Sequence, residues 1–242
     1  MNFNINSKWW PKRPGEAAFR VSEVRRHAPR LVEVVAHGGR PGASGGFQPG
    51  DKIKVDVGGP MRSYTPAELT DEHLRFTGVV HGGGPGSQWL DTLTVGDPIR
   101  FFGPARSLPT ADLDVQWAAF VGDETTLGAA EALLTALPRH VHRHGALEVD
   151  ADSVEAVQRM DIPVDVLGRS SRGTELRRWA DRFTIPAGRG LVWLSGEATS
   201  LVPVKRTLLE RGLERSMLRV KPYWSTKGKA HRKVLERGEL RR

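Results

Sequence analysis

The 242-residue sequence contains no cysteine. That absence removes disulfide scaffolds, thiolate zinc sites, cysteine-ligated iron–sulfur clusters and thiol nucleophiles together, so any redox chemistry depends on a borrowed cofactor. Long apolar runs are lacking too. The opening MNFNINSKWWPKRPG has no apolar core of the kind a secretory signal needs, and no later stretch approaches a membrane span. A cytoplasmic protein without stable membrane insertion is the expectation. Internal repeats are also missing.

What is present is ordinary for a soluble globular chain: 38% hydrophobic and 26% charged residues, enough for a sizeable core in one large domain or two modest ones. The net charge is +8, and residues 225–242 carry seven Lys/Arg against Glu236 and Glu239, which is +5 of that total. Such a tail can grip nucleic acid, anionic lipid or an anionic small molecule. It is equally the composition of a solvated helix end, the reading adopted here, with no nucleic-acid partner.

Between residues 17 and 103 the chain alternates polar and apolar residues in short runs, FRVSEVRR, RLVEVVAH, DKIKVDV, LRFTGVV and DPIRFF, separated by Gly/Pro-rich turns. Period 2 with frequent breakers predicts a small antiparallel β-barrel. GGRPGASGG at residues 38–46 is expected to be a flexible hairpin loop.

After Pro109, strands alternate with helical periodicity, the pattern of a parallel sheet wrapped by helices. WAAFV, ALEVD, PVDVL, GLVWLS and MLRVKPYW read as strands. Helices are expected from about Thr125 to Leu137, over TELRRWADRF, and over SLVPVKRTLLERG, the last with Ser200 as N-cap, Pro203 in its first turn and Gly212 at its end. A barrel over residues 1–110 and a Rossmann-like α/β domain over 111–242, linked at about residues 104–115, leave a cleft between them, a favoured place for ligands.

Four segments could carry chemistry. Arg62-Ser63-Tyr64-Thr65 follows a strand and precedes Pro66. It offers a guanidinium fork for phosphate, a flat phenol for an aromatic ring, and a hydroxyl, which are the needs of a flavin dinucleotide. Taken alone, these four residues read better as a plain strand end with an exposed Arg and a half-buried Tyr. His81-Gly82-Gly83-Gly84-Pro85-Gly86-Ser87 runs through glycines into a helix with Ser87 as expected N-cap, and helix-start amides can receive a pyrophosphate. Gly122-Asp123-Glu124-Thr125-Thr126 joins the first parallel strand to its helix, where nucleotides bind in open parallel sheets. It lacks G-x-G-x-x-G, and its composition also suits a plain helix cap. Leu194-Ser195-Gly196-Glu197-Ala198 holds the same position later in the sheet.

The order of these segments, with Tyr223-Trp224 and Gly228 after them, resembles that of the siderophore-interacting proteins, FAD-dependent ferric-siderophore reductases related to ferredoxin–NADP reductases. The resemblance implies an FAD-binding barrel followed by an NAD(P)H-binding α/β domain. It implies that Arg62 meets the flavin phosphates, Tyr64 stacks on the isoalloxazine and Thr65 hydrogen-bonds near flavin N5, with Tyr64 and Thr65 at the reacting centre. Ser63 would belong to the same segment, and His81 with Gly84, Pro85, Gly86 and Ser87 would hold the pyrophosphate. Asp123, Glu124, Thr125 and Thr126, with Gly196 and Glu197, would line the nicotinamide-nucleotide cleft, and Tyr223 with Trp224 would pack near the flavin. The family usually has Leu-Pro where this chain has Leu127-Gly128. The implied reaction is hydride transfer from NAD(P)H to FAD and two one-electron transfers to chelated Fe(III). Lys221 would contact the anionic ferric chelate, and the protein would act as a monomer.

Two rivals are a general flavin reductase with another acceptor and a non-catalytic nucleic-acid binder using the basic tail. HVHRH, with His140, His142 and His144, is expected to be a polar loop after Pro138 rather than a metal site. Trp117, Trp179 and Trp193 are assigned to the core.

Overall fold

The computed structural model describes residues 19–39, 45–109 and 114–226. The basic tail from Lys227 onward, including Gly228, lies outside the described residues, as do Trp9, Trp10, residues 40–44 of the glycine-rich loop and residues 110–113 of the linker.

The antiparallel half begins with β1 (Phe19–Ala28), β2 (Leu31–Gly38), β3 (Lys52–Val55), β4 (Arg62–Tyr64) and β5 (Glu68–Leu69). It continues with β6 (His73–Val79), helix α1 (Pro85–Thr92), β7 (Pro98–Ile99) and β8 (Phe101–Ala105). Five strands in the order β5-β6-β2-β1-β7 and three in the order β4-β3-β8 form two sheets. They share one core, in which Val32 and Val34 of β2, Ile53 and Val55 of β3, Phe76 of β6 and Leu90 of α1 are packed together. The alternation seen in the sequence thus becomes a curled antiparallel sheet. Arg62 does not follow a strand but begins a short one, because its segment pairs with β3.

The second half comprises β9 (Trp117–Asp123), α2 (Leu127–Thr135), β10 (His142–Val149), α3 (Val154–Gln158) and β11 (Asp165–Gly168). After these come α4 (Thr174–Arg182), β12 (Gly190–Glu197), α5 (Ala198–Glu210) and β13 (Leu218–Trp224). The strand order is β11-β10-β9-β12-β13 with every pairing parallel. Both faces are covered. On β9, Ala118 and Phe120 join the core under α2 and α3, while Trp117, Ala119 and Val121 join the core under α4 and α5. Burial on both faces explains why WAAFV is apolar at every position rather than at every second one. Trp117, Trp179 and Trp193 are all buried in these cores, as expected.

Three local expectations are corrected. Helix α5 starts at Ala198, two residues before Ser200, because the Glu197 carboxylate accepts from the Ser200 N–H at 2.9 Å and caps the helix instead. Pro203 consequently falls in the second turn. HVHRH is not a loop throughout: His142 and His144 begin β10, since pairing with β9 starts at His142 opposite Trp117. Among the described residues no group of three His, Cys, Asp or Glu could hold a metal, and no helix is long and apolar enough to cross a membrane.

The two halves share packing. Ala28, Leu31 and Leu108 of the antiparallel half lie in the core beneath α2. Arg75 of β6 pairs with Glu131 of α2 at 2.6 Å, and Arg30 pairs with Asp150 at 2.5 Å. Helix α2 approaches the antiparallel half so closely that a Cβ at Gly128 would sit 2.4 Å from the Thr65 carbonyl oxygen. Gly128→Ala is therefore expected to destabilise the protein by about 1–3 kcal/mol through overpacking, read as a lower denaturation midpoint. Helix propensity alone favours alanine by about 1 kcal/mol, so the sign of the shift decides whether this contact is rigid.

Candidate functional site

The antiparallel half contributes a corner built by β4 and α1. Pairing of Arg62 with Val55 and of Tyr64 with Ile53 puts Arg62 and Tyr64 on one face of the sheet, with Ser63 exposed on the other. The Tyr64 ring packs 4.8 Å from Phe76 and 6.1 Å from Trp89, centroid to centroid, and burial pushes its phenol up to about 12 while the Arg62 charge acts in the opposite sense. It remains a neutral phenol at physiological pH. The Arg62 guanidinium donates to the carbonyls of Pro60 at 2.7 Å and Met61 at 3.3 Å, and among the described residues it has no carboxylate partner.

Helix α1 starts against this corner. Its N-cap is Gly84, which offers no side-chain acceptor, and Pro85 occupies the first turn. The first-turn amides of Gly86 and Ser87 lack intrahelical acceptors. A Cβ at Gly86 would lie 3.0 Å from Arg62 Cγ and 3.3 Å from the Tyr64 hydroxyl, so glycine lets the helix start touch both. In front of the helix, added Cβ atoms at Gly82 and Gly83 would meet nothing within 4 Å. Ser87 is not the N-cap expected from the sequence. It sits inside the helix, buried, and its Oγ accepts the His81 N–H at 3.1 Å, fixing the turn.

The parallel half contributes its carboxyl edge, organised by Asp123. One carboxylate oxygen accepts the Thr125 N–H at 3.0 Å and the Thr125 hydroxyl. The other accepts the Glu197 N–H at 2.8 Å and the Trp224 indole N–H at 3.2 Å. Asp123 thus ties together the ends of β9, β12 and β13. Gly196 permits this: its φ is +129°, and a Cβ there would lie 2.7 Å from an Asp123 carboxylate oxygen. Burial pushes the Asp123 carboxyl up from its ordinary range, and the donors from Thr125, Glu197 and Trp224 oppose that rise. Thr126 is buried, donating to the Asp123 carbonyl at 2.7 Å. Glu124 pairs with Arg169, which also meets Asp150 at 2.7 Å and Glu148 at 3.3 Å. Burial, and secondarily the Asp123 charge, raise the Glu124 carboxyl, while Arg169 pulls it down.

The two halves of the site meet at Thr65 and Tyr223, whose hydroxyls hydrogen-bond across 158 positions of sequence. Burial pushes the Tyr223 phenol up to about 12, so it keeps its hydrogen at neutral pH. If Tyr223 donates, the Thr65 hydrogen stays available to a second acceptor. Lys221 lies on β13 opposite Ser195, and its carbonyl accepts the Ser195 hydroxyl at 2.7 Å.

The folded chain thus brings Arg62, Tyr64 and Gly84–Ser87 into one corner, and Asp123, Gly196, Glu197 and Trp224 into one hydrogen-bonded cluster. The sequence reading missed Arg169 and Arg172. Arg172 Cζ lies 4.7 Å over the Trp224 ring. Both arginines sit in RSSRG, which looks like any polar loop until the sheet order puts it beside β9 and β13.

Residues 115–227 match the family model described as siderophore-interacting protein. A search of the curated proteins finds no match. Among solved structures, the chain is similar to a siderophore utilization protein from T. fusca, with 28% identity, a TM-score of 0.71, and coverage of 87% of this chain and 93% of that one. The siderophore-interacting protein SipS from Aeromonas hydrophila has 22% identity and a TM-score of 0.72, covering 92% of this chain and 96% of that one. The flavohem-like FAD/NAD-binding domain of nitric oxide dioxygenase from Vibrio cholerae has 17% identity and a TM-score of 0.66, covering 88% and 100%. The ferredoxin reductase-like architecture, an antiparallel curled sheet followed by a parallel α/β sheet, is common to this group. Over residues 115–227, this chain is similar to the siderophore-interacting protein family.

Proposed function

We propose that the chain is an FAD-dependent NAD(P)H oxidoreductase that reduces Fe(III) held in a siderophore, acting in the cytoplasm as a monomer. One observation carries this reading: a cation with no carboxylate partner among the described residues, a flat phenol and a helix start without a side-chain cap converge on a single corner, and the next residue, Thr65, bonds to the α/β half.

The corner fits FAD. The open space before Gly82 and Gly83 leaves room for a pyrophosphate at the amides of Gly86 and Ser87. Arg62 supplies a charge-assisted phosphate contact there, with His81 at the turn, and Tyr64 presents a ring face. Thr65, held by Tyr223, offers its hydroxyl to the isoalloxazine edge, and Trp224 packs nearby. When bound, FAD supplies the capacity to accept a hydride and return electrons singly.

For the cosubstrate, Thr125 is the partly exposed member of the cluster at the carboxyl edge, with Asp123, Glu124, Thr126, Gly196 and Glu197 buried behind it as its support. Asp123 acts there by positioning: its bonds to Glu197 and Trp224 hold the two loops at a fixed separation. Lys221, on the same face of β13 as Tyr223, gives an anionic ferric chelate a cationic contact. Ferrous iron binds hard oxygen donors more weakly than ferric, so reduction loosens the chelate.

The purified protein is expected to be yellow and to release FAD on heating, identified by chromatography; FMN, or no flavin after incubation with FAD, would sink the reading. Arg62→Ala should weaken FAD binding by about 1.5–3 kcal/mol, measured by flavin titration, and an unchanged affinity removes Arg62 from the site. Lys221→Ala should raise KM for an anionic catecholate chelate more than for a neutral one. Flavin reduction by NAD(P)H in a stopped-flow trace should be nearly unchanged, whereas equal losses for both chelates would assign Lys221 a structural role.

A further inference from the structure

The positive charge of the chain sits in its last third. Residues 1–173 carry 19 Lys/Arg against 21 Asp/Glu, a net −2, whereas residues 174–242 carry 17 against seven, a net +10. The basic tail is only part of this. Residues 174–226, which form α4, β12, α5 and β13, carry ten against five. Such a split between parts of one chain points to a polyanionic partner more than to an ordinary solvated surface, where the two signs are mixed.

Folding gathers this charge on one face. Leu176, Trp179 and Ala180 of α4 and Leu201, Val204 and Leu208 of α5 enter a common core on the same side of the sheet, so the two helices lie side by side and their outer surfaces are continuous. Arg177, Arg178 and Arg182 of α4, Arg206 of α5, and Arg211 and Arg215 just beyond it are exposed there. Internal roles account for three of the six. Arg178 pairs with Glu175 at 2.7 Å, Arg182 stands in the last turn of α4, where the helix dipole favours a cation, and Arg211 donates to the Phe183 carbonyl at 3.1 Å. The side chains of Arg177, Arg206 and Arg215 make no hydrogen bond or ion pair among the described residues. Asp181, Glu210 and Glu214 lie among these cations without balancing them.

The face offers charge and little else. Trp179 is buried and stacks on Phe183 at 4.5 Å, and the one exposed large apolar side chain among the described residues, Val95, belongs to the antiparallel half. A single-stranded nucleic acid needs exposed rings on which to stack, and this face has none. A duplex is a rod and meets a line of cations, whereas cations spread over two neighbouring helices match a plane. Anionic headgroups form such a plane and attract Lys/Arg without any apolar insertion.

We propose that the α4–α5 face docks reversibly on an anionic lipid surface, the exposed arginines meeting headgroup phosphates. Residues 227–242, which follow directly on β13 in sequence, add seven Lys/Arg against two Glu to the same attraction. Arg211 and Arg215 lie beyond the end of α5, about 20 Å along the helix from Glu197 at its start, so docking by this face leaves the carboxyl edge open to ligands. The inference does not rest on the flavin reading.

The test is co-sedimentation of the full chain with vesicles of mixed phosphatidylcholine and phosphatidylglycerol. At low salt the wild type should pellet with these vesicles and not with pure phosphatidylcholine, and at about 1 M salt, where the Debye length is about 3 Å, it should stay in solution. Combining Arg177→Gln, Arg206→Gln and Arg215→Gln should weaken partitioning about tenfold or more. Lysine at the same three positions should bind like the wild type, because a headgroup plane responds to charge rather than to guanidinium geometry. Thermal midpoints of both variants should match the wild type, since none of the three side chains has an internal partner to lose. Equal binding to neutral vesicles, binding that survives high salt, undiminished binding of the glutamine variant or a lysine variant as weak as it overturns the proposal. So does a duplex oligonucleotide that strips the protein from the vesicles through the same three arginines, which would assign the face to nucleic acid. The lipid and salt dependence of the wild type tests the proposal without any variant.

Discussion

The buried carboxylate of Asp123 is the interaction on which the carboxyl edge of the sheet depends. A carboxyl group removed from water needs its lone pairs satisfied, and this one draws donors from its own turn, from the end of β12 and from the end of β13. Each donor is thereby placed relative to the others. The Glu197 loop, the Trp224 indole and the Thr125 turn form one unit because they share one acceptor. Gly196 is part of the same constraint, since a side chain there would occupy the space that the carboxylate needs.

From that unit the arrangement extends to the antiparallel half. Tyr223, next to Trp224, bonds to Thr65, next to Tyr64, while Gly128 lets α2 press against the Thr65 carbonyl. Ala28 and Leu31 are buried in the core of the parallel half. Two halves that share a core cannot slide freely past each other. The separation between the Arg62–Tyr64 corner and the carboxyl edge is therefore set by packing.

Charge is distributed unevenly around this edge. Glu124, Glu148 and Asp150 converge on Arg169, and Arg30 brings the antiparallel half into the same network. These groups neutralise one another and stiffen the loop that carries Arg172. Arg172 itself is left to the Trp224 face.

The sequence by itself determined the fold class and the order of the motifs, because both are written in local signals. Period-2 alternation followed by fully apolar runs separates a half-exposed antiparallel sheet from a doubly covered parallel one. Glycines next to Pro85 mark a helix start, although the cap proved to be Gly84 rather than Ser87, whose side chain turned inward to His81. Helix α5 was displaced for a similar reason, as the Glu197 carboxylate reached its first amides before Ser200 could. The tertiary structure alone decided which residues meet. Thr65 and Tyr223 are 158 positions apart, and Asp123 and Trp224 are 101 apart. No periodicity links such pairs, because their contact arises from the strand order β11-β10-β9-β12-β13 and from the docking of one half on the other. Gly128, which reads as a departure from a family pattern, acquires its meaning only from a carbonyl oxygen in the other half of the molecule, and Arg172 only from a tryptophan on the far side of the sheet.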